Sequence, residues 1–328
     1  MQMKKIGLVL AGGGGRGAYQ IGVWKALRET GLENYITSVS GTSVGALNAG
    51  LFVQKDLEVA QNVWESISRK DILTPKSDSN RSSKCFSCFE RDGLEKIIDD
   101  NLDMRCFDNS GYNCWMACVR KDRLNKGVEK ILYTTPVGEK VTRKFVYQHI
   151  EYFNLKYVKD DTTRKKIILG TSAIPFVFPE EEIEGHTYCD GGSKRVHGDN
   201  VPVRPLYEID RCNIILIIHL TDLDKPVMRG KFPDASLYEI FPKKDMGGMF
   251  NVGGMFDFTA KGAKERIKQG YDDTIKVFQN IKTSIDREKE IGIMLGDAKV
   301  REAQNLKKMR NSMENISKRA QNLVSMIE

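Results

Sequence analysis

The stretch "YITSVSGTSVGALNAG" runs from Tyr35 to Gly50. Tyr35 to Ser40, rich in β-branched residues, reads as a strand, and "ALNAG" opens a helix of small residues. Between them Gly41-Thr42-Ser43-Val44-Gly45 is a G-x-S-x-G at a strand-to-helix turn, the setting that presents a serine hydroxyl on a sharp, strained corner. Glycine on both sides suits such a corner, because flanking Cβ atoms would collide.

The same order of elements precedes it. "IGLVL" (Ile6 to Leu10) is a continuous apolar run of the kind buried in the middle of a parallel sheet. Glycines follow, and then Tyr19, Val23, Ala26 and Leu27 recur at helical spacing until Gly31. Strand, turn and helix therefore occur twice, which predicts an α/β fold. "NIILIIHL" (Asn213 to Leu220) extends the sheet, and "TTRKKIILGTSAIPFVFP" (Thr162 to Pro179) is a helix running into a proline-bounded turn.

Gly12, Gly14 and Gly17 satisfy G-x-G-x-x-G after a strand, the spacing of a dinucleotide loop. That fingerprint also needs an acidic residue about 20 positions on, at the end of the second strand. Val39 and Ser40 stand there instead, and no G-K-[ST] follows the glycines, so a phosphate cradle is disfavoured. Main-chain N–H groups aimed at an oxyanion are the other use for such a loop.

A serine hydroxyl is a poor nucleophile until a base accepts its proton. His149, His186, His197 and His219 carry no local signature of such a base. "TYCDGGSKRVHGDNVPVRPL" places Asp190 at the end of a short strand, with Gly191 and Gly192 leaving room for close approach; Asp199 is the competing carboxylate. An aspartate of ordinary pKa, about 3.9, is a weak base, so a useful one must be partly buried beside the hydroxyl.

The 328 residues, 40% hydrophobic and 29% charged, are enough for one large domain with elaborations. The net charge of +7 is mild and favours an anionic membrane surface or a nucleotide as partner. Seven cysteines, an odd number without regular spacing, fit a reducing compartment. Cys85 and Cys88 form a C-x-x-C, but the "CWMAC" downstream has the wrong spacing for a second zinc pair, so no metal is expected. The apolar run after Lys4 and Lys5 is too short for a signal peptide, and none approaches the roughly 20 apolar residues of a bilayer span. The expectation is a cytoplasmic protein whose membrane contact is peripheral.

Residues 74–92 are serine-rich and read as a surface loop. "KKDMGGMFNVGGMFDF" (Lys243 to Phe258) repeats GGMF and either dips into a membrane interface or tucks into the core. Leu306, Met309, Met313, Ile316, Ala320, Leu323 and Ile327 keep the spacing of a coiled-coil seam, packed on the chain's own domain or used for self-association.

The three motifs in this order resemble the patatin-like phospholipase family: Gly12-Gly13-Gly14-Gly15-Arg16-Gly17, Gly41-Thr42-Ser43-Val44-Gly45 and Asp190-Gly191-Gly192. "SAIPFVFP", "DNVPVRPL" and "FDFTAKGAKERIKQGYDDT" are similar to further family blocks, so the likeness spans roughly residues 5 to 280. It implies a three-layer α/β/α sandwich around a mainly parallel sheet, with a catalytic domain over 1–283 and a C-terminal helical extension over 284–328. It further implies a catalytic Ser43–Asp190 dyad that needs neither histidine nor cofactor. Gly13, Gly14 and Gly15 would supply the oxyanion N–H groups with Arg16 beside them, and Gly12, Gly17, Gly41, Gly45, Gly191 and Gly192 would shape the motifs. The substrate implied is membrane phospholipid, from which fatty acid is released. In size and opening sequence the chain also resembles phospholipase effectors of bacterial cyclic-nucleotide antiphage signalling. That likeness implies antiviral defence, a cyclic-nucleotide activator and a homo-oligomer, with no nucleic acid duplex as partner. Two alternatives stay open: a Ser-Asp-His esterase, and a non-catalytic scaffold that keeps the fold.

Overall fold

The computed structural model describes residues 5–76, 87–108, 110–122, 127–193, 197–221, 226–247 and 254–279, with 299, 304–309 and 311 from the tail. The chain divides into two compact units, Met1–Ile275 and Lys276–Glu328. In the second, residues 304–309 are helical, with Leu306 and Met309 exposed. The rest of the seam from Met313 onward, Cys85 and most of the first GGMF lie outside the described residues.

In the first unit β1 (Ile6–Leu10) leads through α1 (Ala18–Glu29) to β2 (Ile36–Gly41), and β2 through α2 (Val44–Gln54) onward. Then come α3 (Leu57–Ser66), α4 (Arg69–Ile72), α5 (Asp92–Asn101), β3 (Asn113–Arg120), β4 (Gly127–Thr134), β5 (Lys140–Gln148) and β6 (Ile150–Asn154). The remainder is α6 (Asp161–Thr171), β7 (Glu181–Ile183), β8 (His186–Asp190), β9 (Ile214–Ile218), β10 (Ser236–Ile240) and a helix, α7, whose residues 260–275 belong to this unit. Asp56 and Asp160 cap α3 and α6, each carboxylate accepting an N–H three residues on.

Among the described residues ten strands form one sheet in the order β10-β9-β1-β2-β3-β6-β5-β4, with β8 also pairing β3 and β7. Strands β10, β9, β1, β2 and β3 run parallel; β6, β5, β4, β7 and β8 join by antiparallel pairing. From β1 the chain goes to β2 on one side and later returns to β9 on the other. Such a reversal opens a crevice at the carboxyl ends of the central strands. Both glycine motifs lie there.

The apolar run of β1 is explained by burial on both faces. Leu8 and Leu10 pack toward Ile21, Trp24 and Leu27 of α1 and Phe52 of α2. Val9 faces the other way into a cluster with Val203, Leu206, Ile215, Ile217 and Phe232. The helical layer on the first face is the thicker; a short helical turn, Pro205–Ile209, contributes Leu206 to the second. α7 seats against α1 at glycines: a Cβ on Gly22 would stand 1.9 Å from the Ile267 carbonyl oxygen, and one on Gly270 2.0 Å from that of Tyr19. No helix among the described residues is long and apolar enough to cross a membrane, and no cluster of metal-ligating side chains occurs among them. Cys114 and Cys118 of "CWMAC" are buried in β3 as free thiols.

Candidate active site

Ser43 sits between the end of β2 and the first residue of α2, with φ 54° and ψ −126°. That backbone is rare for a residue with a side chain and costs on the order of 1–3 kcal/mol, so the surroundings must hold it. A Cβ on Gly41 would lie 2.3 Å from the Gly45 carbonyl oxygen, and one on Gly45 2.1 Å from that of Leu10. Both glycines are therefore dictated by main chain packed against main chain. Ser43 N–H donates to Thr171 Oγ1 at 3.0 Å, and the Thr171 hydroxyl donates to the Ala117 carbonyl. Thr42 adds its N–H to the Leu10 carbonyl, 3.3 Å, and its hydroxyl to the Asp199 carbonyl, 2.9 Å. Three strands and α6 thus fix the corner.

Asp190 ends β8, opposite Cys118 of β3, and its N–H donates to the Ala173 carbonyl at 2.9 Å. Gly191 is required here too, since a Cβ would lie 2.1 Å from the Ala117 carbonyl oxygen. The carboxyl is brought up against Ser43, and both side chains are buried. Burial pushes the Asp190 pKa up to about 6, and the Ser43 hydroxyl and Gly192 N–H pull it partly back. Oδ1 accepts from Gly192 N at 2.7 Å, whereas Oδ2 has no hydrogen bond of regular geometry. The hydroxyl and carboxyl therefore stand side by side, short of a closed bond, with one carboxylate oxygen still able to take a proton.

The glycine loop lies over this pair. Gly12 passes so close that a Cβ would come within 3.2 Å of Ser43 Cβ, and Gly14 has φ 59°. Gly13 N–H and Gly14 N–H have no acceptor among the described residues, and neither has Val44 N–H, directly after the serine. Gly15 differs from the expected set. Its N–H donates to the Met255 carbonyl at 2.7 Å, and a Cβ would meet the Asp257 carbonyl oxygen at 2.4 Å. Arg16 reaches away to the Gly247 carbonyl and so braces the same incoming segment. That segment is anchored by Asp257, paired with Arg266 at 3.2 Å, and by Phe258, stacked on Trp64.

Behind the loop a buried polar chain holds it in place. Gln20 donates to the Ala11 carbonyl at 2.8 Å, Asn48 to the Gly17 carbonyl at 2.9 Å and to Gln20 at 2.8 Å, and Trp64 to Asn48 at 2.9 Å. Asn200 closes the other side by donating its side chain to Gly12 O, 3.2 Å. These supports went unread in the sequence, although a glutamine and an asparagine on otherwise apolar helices were a signal for them.

Ser43 opens into an apolar cleft of about 90 Å³, walled by residues such as Leu47, Leu51, Leu94, Ile98, Ile174 and Phe178 and partly filled by Met255, Phe256 and Phe258. The second GGMF therefore turns inward. None of the four histidines lines this cleft. His186 binds Asp122, and buried His219 binds Glu239 and stacks on Phe241. Asp199, the rival carboxylate, accepts from the Tyr152 hydroxyl at 2.7 Å and from Val201 N–H.

Comparison with known proteins bears on this arrangement. The family model for patatin-like phospholipases matches residues 8–207. Lysophospholipase NTE1 of Chaetomium globosum is 47% identical over 134 residues, 34% of this chain and 9% of that protein. Lysophospholipase NTE1 of Cryptococcus neoformans is 24% identical over 224 residues, 65% of this chain and 11% of that protein. A patatin-like phospholipase domain-containing protein of Caenorhabditis elegans is 53% identical over 49 residues, 15% of this chain and 4% of that protein. The chain thus spans about a tenth or less of the curated relatives it matches. Among solved structures, VipD from Legionella pneumophila aligns with TM-score 0.42 at 12% identity, covering 85% of this chain and 67% of that one. A family model that spans well over half the chain, over residues that carry the glycine loop, the serine corner and Asp190, places this protein in the patatin-like phospholipase family.

Proposed function

We propose that the protein hydrolyses fatty acyl esters of membrane glycerophospholipids through a Ser43–Asp190 dyad. The observation that carries this reading is a strained, buried serine beside a buried carboxyl raised to about 6, at the head of an apolar cleft. Near neutral pH such a carboxylate is ionised yet far more basic than an ordinary aspartate, which is what general-base catalysis requires.

In the first half-reaction Asp190 takes the Ser43 proton as Oγ bonds to the ester carbonyl carbon. The N–H groups of Gly13, Gly14 and Val44 face the negative charge that gathers on the carbonyl oxygen; one such donor is typically worth about 10² to 10³ in rate. Collapse breaks the ester C–O bond, and the leaving alcohol receives the proton from Asp190. In the second half-reaction water gives a proton to Asp190 as its oxygen bonds to the acyl carbon; collapse breaks the acyl C–Oγ bond, Ser43 Oγ takes the proton back from Asp190, and the fatty acid leaves. The apolar cleft supports a long acyl chain as the group bound, and the scheme calls on no cofactor. Contact with the membrane is peripheral in this reading.

The test is hydrolysis of phospholipid by parent and Ser43→Ala proteins, with fluorophosphonate labelling of Ser43. Loss of both on substitution is expected, and an unchanged rate overturns the proposal. Activation by a cyclic oligonucleotide belongs to the same reading at one remove. Its support is a separate polar cavity of about 430 Å³ at the opposite ends of the strands, lined by Lys5, Lys140, Lys156 and Tyr157. Added cyclic di- or trinucleotide raises the rate if this part holds, and leaves it unchanged if it does not.

A further inference from the structure

We propose that Phe176 is an interfacial anchor that docks the mouth of the Ser43 cleft onto an anionic lipid surface. For its partner the inference rests on the phospholipid reading above.

The loop after α6 alternates in direction. Ile174 and Phe178 turn into the cleft, while Phe176 between them points out, with 53% of its surface exposed. Its φ of 69° is a genuine outlier for a bulky aromatic residue. The strain is fixed by a scaffold on both sides. Cys88 N–H donates to the Phe176 carbonyl and Phe89 N–H to the Val177 carbonyl, each at 3.0 Å, while Val177 N–H returns to Ile174 O at 3.0 Å. The neighbouring strand is tied in turn, Lys76 N–H donating to Cys88 O at 3.1 Å and Pro75 bridging Phe89. A main chain so pinned keeps a half-exposed aromatic ring at a backbone angle that disfavours it.

Three features favour a lipid surface as the occupant. Other exposed large apolar residues, such as Tyr35, Val137 and Met228, do not line the cleft or neighbour residues that do. Phe176 lies within two residues of two side chains that would meet the acyl group. The adjoining segment, whose Ile72 and Leu73 also line the cleft, carries Arg69, Lys70 and Lys76 against Asp71, and Asp71 is engaged in capping α4 with Ser68. Aromatic insertion with cationic side chains near head groups is the pattern of interfacial binding. The GGMF stretch, which the sequence offers for this role, spends its described apolar side chains on the cleft instead.

The test compares parent, Phe176→Gly and Phe176→Trp as full-length chains. Three readouts apply: co-sedimentation with vesicles of phosphatidylcholine and phosphatidylglycerol at 4:1, fatty acid release from them, and cleavage of soluble p-nitrophenyl butyrate. Glycine accepts the positive φ without penalty, so F176G keeps a thermal midpoint at or above the parent's. Losing one inserted aromatic ring is expected to weaken vesicle binding and vesicle hydrolysis roughly 10- to 100-fold. Soluble-ester cleavage should stay within about twofold, and F176W should restore vesicle binding. Equal vesicle binding by F176G and parent, no binding by the parent, or a parallel loss on the soluble ester each overturns the proposal. If no protein hydrolyses either substrate but F176G still loses vesicle binding, the anchor stands and the catalytic reading falls.

Discussion

Asparagine at position 190 should make the protein inactive and more stable at once. Folding carries the Asp190 carboxyl from its ordinary 3.8 to about 6, so above pH 6 the native state holds a buried charge that the unfolded chain keeps in water. At 1.36 kcal/mol per pH unit the penalty is about 3 kcal/mol. The sign follows from proton binding. Below about pH 4 both states are protonated and nothing is lost; stability falls as pH rises toward 6, and stays lower above it. Asp190→Asn removes the charge while its side-chain oxygen can still accept from Gly192 N–H. Its thermal midpoint at pH 7.5 should therefore exceed the parent's by roughly 6–12 °C, at about 2–4 °C per kcal/mol. The gap should close as the pH is lowered to 4. Asp210 is likewise pushed up to about 6 by burial, but it is common to both proteins and cancels in the difference. Differential scanning fluorimetry at half-unit pH steps, with ester hydrolysis alongside, is the assay. A variant that melts lower than the parent, or by a margin independent of pH, would refute the reasoning.

Other substitutions test other parts of the site. Gly45→Ala puts a Cβ 2.1 Å from the Leu10 carbonyl oxygen, main chain on main chain, and should cost several kcal/mol; a soluble, cooperatively melting variant within about 1 kcal/mol of the parent by urea titration contradicts the packing argument. Thr171→Val strands Ser43 N–H and the Ala117 carbonyl, a loss of about 1–3 kcal/mol of local support, so kcat should fall roughly tenfold with KM little changed. A wild-type kcat would mean that the corner holds itself. Asp257→Asn breaks the ion pair with Arg266 that anchors the segment over the glycine loop. Gly15 N–H is then released from Met255, and fluorophosphonate labelling of Ser43 should quicken several-fold; an unchanged labelling rate shows that the segment does not gate the site.

The parts of this site that were legible in the sequence are those where geometry leaves one residue type. Gly41 and Gly45 must lack Cβ atoms because main chain meets main chain, and Gly191 must do so against Ala117, so these motifs are written locally. The alternation of Leu8, Val9 and Leu10 between two buried faces was likewise visible as an unbroken apolar run. Long-range partnerships left no comparable trace. Thr171 meets Ser43 across 128 residues, and Asn200 meets Gly12 across 188. Met255 claims the Gly15 N–H through its carbonyl, a group every residue carries, so no side chain announced it. The antiparallel half of the sheet was hidden for another reason: β4 at its edge is mostly exposed, so "GVEKILYT" lacks the clean alternation of a half-buried strand. Gly191 and Gly192 already favoured Asp190 over Asp199, and the Tyr152 hydroxyl that donates to Asp199 is a further partnership the sequence does not display.

The central claim is that the hydroxyl at position 43 becomes the acyl carrier when the carboxylate at 190 takes its proton. Intact-protein and peptide mass spectrometry after brief exposure to a fluorophosphonate measures this directly, in parent, Ser43→Ala and Asp190→Asn proteins. The account predicts one adduct on the parent, mapped to the peptide containing Ser43, none on Ser43→Ala, and labelling slowed at least a hundredfold in the folded Asp190→Asn protein. An adduct on another residue, or labelling of Asp190→Asn at the parent's rate, would contradict it.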